Sequence, residues 1–190
     1  MRSLGFVTVA ARKGRNTTTR KRRARAAPRR RASPAVDFVV ASPLWTTKRG
    51  VKALLRRAIG QAALLTSTAV GELSIVLTDD AAIRALNRDW RCKDRATNVL
   101  SFRTTQATRA HGTPRLLGDI VIAYETTERE ACAESKPFAH HAAHLAVHGF
   151  LHLAGYDHAA DDEAAAMERL ETAILSRLDV PNPYVARSAI

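Results

Sequence analysis

Three histidines, His148, His152 and His158, are the residues of this chain whose spacing best suits holding an ion. The first two stand four apart, so on a helix their side chains lie one turn above the other, with Cβ atoms ~5–6 Å apart, and can converge on one centre. Gly155 follows His152 by three residues, and glycine takes the left-handed conformation that stops a helix and turns the chain back. That turn lets His158 reach the same point from outside the helix. Three neutral imidazoles suit Zn²⁺, which binds nitrogen at ~2.0–2.1 Å and, with three protein ligands, keeps a fourth position for water. An open position indicates a catalytic ion. A structural zinc is usually closed by a fourth ligand, often cysteine, whereas Cys92 and Cys132 lie upstream without a C-x-x-C pairing and read as reduced thiols.

The spacing H-x-x-x-H-x-x-G-x-x-H is also the metal frame of the metzincin proteases, in which a glutamate directly after the first histidine is the general base. Here that position is Gly149, which has no group to take a proton. The peptidase reading loses its central chemical group. The helix bearing the first two histidines starts near Pro137 and carries Leu145, Val147, Phe150, Leu151 and Leu153 around much of its circumference, the pattern of a buried helix. Buried imidazoles need partners. His148 and His152 are assigned to the metal, His144 to support or packing one turn back, and His140 and His141 to positions nearer the surface.

The elements that position this helix follow from composition and periodicity. The chain has 190 residues, is 46% hydrophobic, and has no apolar run near the ~20 residues of a membrane span. Its net charge of +12 is all in residues 1–36, which hold 12 of the 30 Lys and Arg and none of the acids, leaving 18 basic against 18 acidic residues beyond. Residues 1–35 carry too few large apolar side chains to offset ordering entropy and are expected to be a disordered extension ahead of a domain at 36–190. Three readings stand for that leader: an arm that binds RNA phosphates by counterion release, an organelle transit peptide, or a translation start later than Met1. A secretory signal is not expected, because Met1 to Ala11 lacks an adequate apolar centre ahead of a small-residue cleavage site.

Within the domain, Val36–Val40 reads as a strand. Thr46 or Thr47 then caps a helix with Val51, Leu54, Leu55, Ile59 and Leu64 inward; its basic outer face reads equally as solvated surface or RNA contact. A strand over 72–78 leads to a helix capped by Asp79 or Asp80, with Ile83, Leu86 and Trp90 on one side. A charged loop, a strand to Phe102, a connection over 103–115 and the strand 117–122 follow, the last apolar enough to be covered on both faces. Helices over about 125–135, from Pro137, and from Asp161 complete the chain, the last with Met167, Leu170, Ile174 and Leu178 buried. The order indicates an α+β fold, a small mixed sheet packed against helices.

Two stretches then carry a resemblance. His148-Gly149-Phe150-Leu151-His152-Leu153-Ala154-Gly155-Tyr156-Asp157-His158 resembles the signature HGxLHLxGYDH of the YbeY family of zinc-dependent endoribonucleases at every fixed position. The stretch from Leu86 to Phe102, LNRDWRCKDRATNVLSF, resembles that family's LNxxYRxKDxxTNVLSF, with Trp90 in place of the usual tyrosine. Leu117–Ile122 matches its LGDIVI, and Pro183-Tyr184 is family-like; the likeness spans 36–190 and none of 1–35. It implies a four-stranded mixed sheet with about five helices, one Zn²⁺ on His148, His152 and His158 in a cleft beside the sheet, and Arg91 as the functional arginine.

The implied activity is cleavage of single-stranded RNA, in maturation of the small-subunit (16S) ribosomal RNA 3′ end and in ribosome quality control. Its partners are ribosomal RNA and the small ribosomal subunit, in the bacterial cytoplasm, or in an organelle if the leader is a transit peptide. Arg91 would stabilise charge on the phosphoryl oxygens. With glycine at 149, the metal alone activates the nucleophile, the RNA 2′-hydroxyl attacks, or Asp157 helps, although aspartate in such a turn is more often a cap. Charge within the domain favours the Arg91 side for a polyanion: residues 48–115 carry 13 basic and 5 acidic side chains, residues 116–190 carry 5 and 12. The competing classes are a metzincin-like metalloprotease and a non-catalytic ribosome-binding zinc protein.

Overall fold

Three strands, β1 (Ala35–Val40), β2 (Gly71–Thr78) and β4 (Arg115–Ala123), run parallel, and β3 (Val99–Arg103) pairs antiparallel with β4, giving the sheet order β1-β2-β4-β3. The computed structural model describes residues 33–68, 71–104, 115–158 and 160–185; the expected leader, up to residue 32, and the connection over 105–114 lie outside the described residues. Parallel neighbours require a crossover, and α1 (Val51–Leu65) carries the chain from β1 to β2. Between β2 and β4 come α2 (Asp80–Arg91) and β3, and after β4 come α3 (Tyr124–Ala133), α4 (Phe138–Ala154) and α5 (Asp161–Ser176). The α+β class, the mixed four-stranded sheet and the element order are those expected. No helix among the described residues is long and apolar enough to cross a membrane.

β4 is an inner strand, and its continuous apolar run is covered on both sides. Ile120 and Ile122 enter the main core with Leu55 and Ile59 of α1 and Val147, Phe150 and Leu151 of α4. Val121 and Ala123 join Ile83 and Leu100 in a smaller cluster under α2. The central helix α4 lies unusually close to the sheet because Gly149 faces it. A Cβ there would stand 2.8 Å from Ile120 Cγ2 and 2.9 Å from Ser101 Oγ, distances that real Cβ atoms do not occupy. A side chain at the position after His148 would therefore force Ile120 and Ser101 to shift.

Several expectations are corrected. Thr46 and Thr47 do not cap α1; they belong to a short 3-10 turn, Pro43–Thr47, and their hydroxyls donate back to the carbonyls of Pro43 and Leu44. Gly50, at φ 80°, occupies the cap position. Leu64 is 42% exposed, because the buried stripe of α1 is completed by the small residues Ala58, Ala62 and Ala63. Trp90 is not covered, being 71% exposed at the end of α2. His141 is buried rather than near the surface, at 5% exposure, since Glu130 of α3 accepts a hydrogen bond from its Nε2 at 2.7 Å.

Asp79 caps α2 by accepting the N–H of Ala82, which frees Asp80 to tie α2 to α3. Its Oδ1 accepts from the N–H and hydroxyl of Thr126, its Oδ2 faces Arg129 at 2.9 Å, and its own N–H donates to Glu125. Burial alone would raise this carboxyl, but the hydrogen bonds from Thr126 and Arg129 outweigh it and hold it below the ordinary value. A group depressed on folding stabilises fully above its unfolded pKa of ~3.9, and that contribution disappears as pH falls through the lower folded value. Asp80→Asn is accordingly expected to lower stability by roughly 1–2 kcal/mol at pH 7. Urea midpoints measured across pH should show the gap to wild type narrowing below about pH 4.

Candidate metal centre

Helix α4 ends where the sequence places its stop. Gly155 adopts φ 99°, and the N–H groups of Gly155 and Tyr156 bond back to the carbonyls of His152 and Leu151, satisfying groups that a helix end leaves unpaired. The turn carries His158 over the helix, and the N–H of His158 is capped by Asp157 Oδ1 at 2.8 Å. One ring nitrogen from each of His148, His152 and His158 then lies within 4.8 Å of the other two. Ring centroids are 4.7 Å apart for His148 and His152, 5.5 Å for His148 and His158, and 5.0 Å for His152 and His158. The two helical histidines and the one beyond the turn are brought together as expected.

The hydrogen bonds around the rings settle which atoms face inward. His148 Nδ1–H donates to Glu171 Oε1 at 2.9 Å, and His152 Nδ1–H donates to the Tyr156 carbonyl at 3.1 Å. Each Nε2 of a neutral ring is then a lone pair, and the two Nε2 atoms face one another at 3.1 Å. Two lone pairs so placed repel unless a positive charge lies between them. Burial first, then the charges of His148 and His158, hold the His152 imidazole below its ordinary pKa, so a proton is disfavoured there and a metal cation fits. Nitrogens on one tetrahedral zinc, with bonds of ~2.0–2.1 Å, stand roughly 3.3–3.4 Å apart. Among the described residues no fourth His, Cys, Asp or Glu joins the cluster.

Behind His148 stands a residue that sequence reasoning missed. Glu171 of α5 is fully buried, yet its Oε2 accepts from His144 Nε2 at 2.8 Å and from the Tyr184 hydroxyl, while its Oε1 serves His148. Desolvation pushes this carboxyl up, but the hydrogen bonds from His144 and His148 outweigh it and hold the pKa down to about 2. An ionised carboxylate that fixes the tautomer and direction of a metal-facing imidazole raises its basicity as a ligand. The available signal was its register: Glu171 falls four residues after Met167 and three before Ile174, in the buried stripe of α5. Glu171→Gln keeps the volume but removes the charge. It is expected to weaken zinc binding roughly 10–100-fold, read by competition with a chromophoric chelator, with the circular dichroism spectrum retained.

Arg91 is the last residue of α2 and shares a cleft of about 590 Å³ with His148, His152, His158, Asp157, Trp90 and residues 97–102. Strand β3 forms the sheet edge, so groups from both faces meet around it. Cys92, at φ 56°, stops α2. The loop that follows is pinned by the buried Asn87, whose carbonyl accepts from Lys93 N–H and whose Nδ2 donates to the Arg95 carbonyl. Arg84 and Arg88 on the same helix pair with Asp94 and Asp89; Arg91 is exposed and enters no ion pair among the described residues. Cys92 and Cys132 are free and exposed.

Fold and site together define an α+β protein with a three-imidazole centre, able to hold a metal ion, in a cleft that also bears an arginine without an ion-pair partner among the described residues. Comparison with known proteins gives the family: residues 43–179 match the model for Endoribonuclease YbeY, and the chain belongs to that family. It is 53% identical over 158 residues to an Endoribonuclease YbeY of Nitrobacter hamburgensis, covering 80% of this chain and 83% of that one. It is 52% identical over 155 residues to one of Rhodopseudomonas palustris, covering 80% and 90%. The fold is similar to the solution structure of TM1509 from Thermotoga maritima, with a TM-score of 0.51 at 18% identity over 82% of this chain and 99% of that one.

Proposed function

We propose that this protein is a zinc-dependent endoribonuclease that cuts single-stranded RNA, with a catalytic domain at 36–190 and residues 1–35 as a basic extension. The substrate we infer is ribosomal RNA at the small-subunit 3′ end, in maturation and ribosome quality control in the bacterial cytoplasm, as the family resemblance implies. The observation that carries the reading is the pair of Nε2 lone pairs facing at 3.1 Å, with both Nδ1 atoms committed as donors.

In this reading His148, His152 and His158 hold the ion, and Glu171 keeps the His148 ring in its ligating tautomer. Zinc, when bound, lowers the pKa of a water in its open position towards about 7 and polarises a phosphoryl oxygen. Arg91 offers a planar fork of donors to the phosphoryl oxygens and offsets the charge that builds on them in the transition state. Its freedom from carboxylate partners supports that task.

The metalloprotease alternative is weakened by Gly149, which offers no base where such a mechanism needs a glutamate and packs closely on Ile120 and Ser101. A purely structural zinc is disfavoured by a cluster of three ligands in an open cleft. The test is metal analysis of the purified protein paired with cleavage of a labelled single-stranded RNA and of casein, before and after chelation and after zinc is returned. RNA cleavage lost on chelation and restored by zinc, with casein intact, is expected. RNA cleavage indifferent to chelation would refute the metal's role, and casein cleavage would favour the protease.

A further inference from the structure

Trp90 is the most exposed large hydrophobic residue among those described, at 71%. An indole that buries 150–250 Å² in a core contributes much of its stabilising value there, and Trp90 forgoes most of it. It is nevertheless held in place. Its ring meets Phe102 edge-on, with centroids 5.6 Å apart and planes at 66°, and the helix end that carries it is fixed by the Cys92 stop and the Asn87 bonds. It lines the same cleft as the histidines and immediately precedes Arg91. The other tryptophan, Trp45, is 3% exposed and donates its indole N–H to the Thr78 carbonyl; it has an ordinary place in the core.

A propped, solvent-facing aromatic face beside a cationic group is the construction that binds single-stranded nucleic acid, in which bases stack on aromatic rings while cations take the phosphates. We propose that Trp90 is a nucleobase-stacking subsite: it holds one unpaired base of the RNA at the rim of the cleft and so sets the register in which the neighbouring phosphate meets Arg91 and the three histidines. This rests on the endoribonuclease reading above. Every base has a π face, so the subsite selects for unpaired nucleotides rather than for sequence. A base locked in a duplex cannot present its face, which gives the protein a physical means of refusing double-stranded RNA at this point.

The test is a fluorescence titration of the full, metal-loaded chain with a single-stranded hexanucleotide protected by 2′-O-methyl riboses and phosphorothioate linkages. Trp45 is shielded, so the change in emission reports Trp90. Quenching on binding is expected in the wild type. Trp90→Ala, which lacks the reporting indole, should bind about 5- to 100-fold more weakly as read by the anisotropy of the same oligonucleotide carrying a terminal fluorescein, with Trp90→Phe recovering much of the loss. A single abasic nucleotide walked along the oligonucleotide should abolish quenching at one position, and at that position should cost Trp90→Ala no further affinity. Equal affinity of wild type and Trp90→Ala, with RNA still cleaved by the wild type, overturns the subsite alone and leaves the indole as a contact for a protein partner. A wild type that neither binds the oligonucleotide nor cleaves single-stranded RNA overturns the endoribonuclease reading and the subsite with it.

Discussion

Replacing His158 by alanine is expected to strip the centre of its ion, and RNA cleavage with it, while the fold survives. His158 is exposed and stands on a turn whose shape comes from Gly155 and Asp157, so its ring is not part of the packing. Zinc held by small protein sites is worth ~10–16 kcal/mol at neutral pH; shared over the four ligands of such sites that is about 2.5–4 kcal/mol each, or two to three powers of ten in affinity. Metal content after dialysis and the cleavage rate should fall together, with the thermal midpoint of the metal-free proteins unchanged. Full zinc occupancy in the variant would remove His158 from the ligand set. His148→Ala is a poorer probe because it also leaves Oε1 of buried Glu171 without its donor, and a hydrogen bond lost from a buried charged group costs about 1–3 kcal/mol of stability.

The second large effect is expected from Arg91→Ala. Loss of one donor aimed at transition-state charge typically costs ~10²–10³ in kcat. Because Arg91 is exposed and outside the ion pairs of its helix, metal content and melting should remain those of the wild type. Arg91→Lys keeps the charge but not the fork and should recover only part of the rate. Single-turnover cleavage at saturating RNA separates this loss from weaker binding. A normal rate in Arg91→Ala would end its assignment.

The three-histidine cluster was legible because its information is local. His148, His152, Gly155 and His158 lie within eleven residues, and helix geometry followed by one left-handed turn converts their spacing into convergence. What escaped depends on partners distant in the chain. Glu171 is 23 residues from His148, and the contact exists only once α5 packs on α4. His141 looked peripheral until Glu130 of α3 supplied a partner for its buried ring. Periodicity placed Trp90 on the inner side of α2, but the helix ends one residue later, past the covered part of the sheet, where an inward heading meets a cleft. Gly149 was legible as a missing base; that the sheet also packs closely there required the positions of Ile120 and Ser101.

Glu171 spends one oxygen on His148 and the other on His144 and Tyr184, so a single carboxylate joins the ligand set to the segment over 180–185. Linkage between two such sites is reciprocal. An ion held by that ligand set would strengthen the contact of His148 with that carboxylate, and any free energy it added there would also favour the ordered position of the Tyr184 phenol.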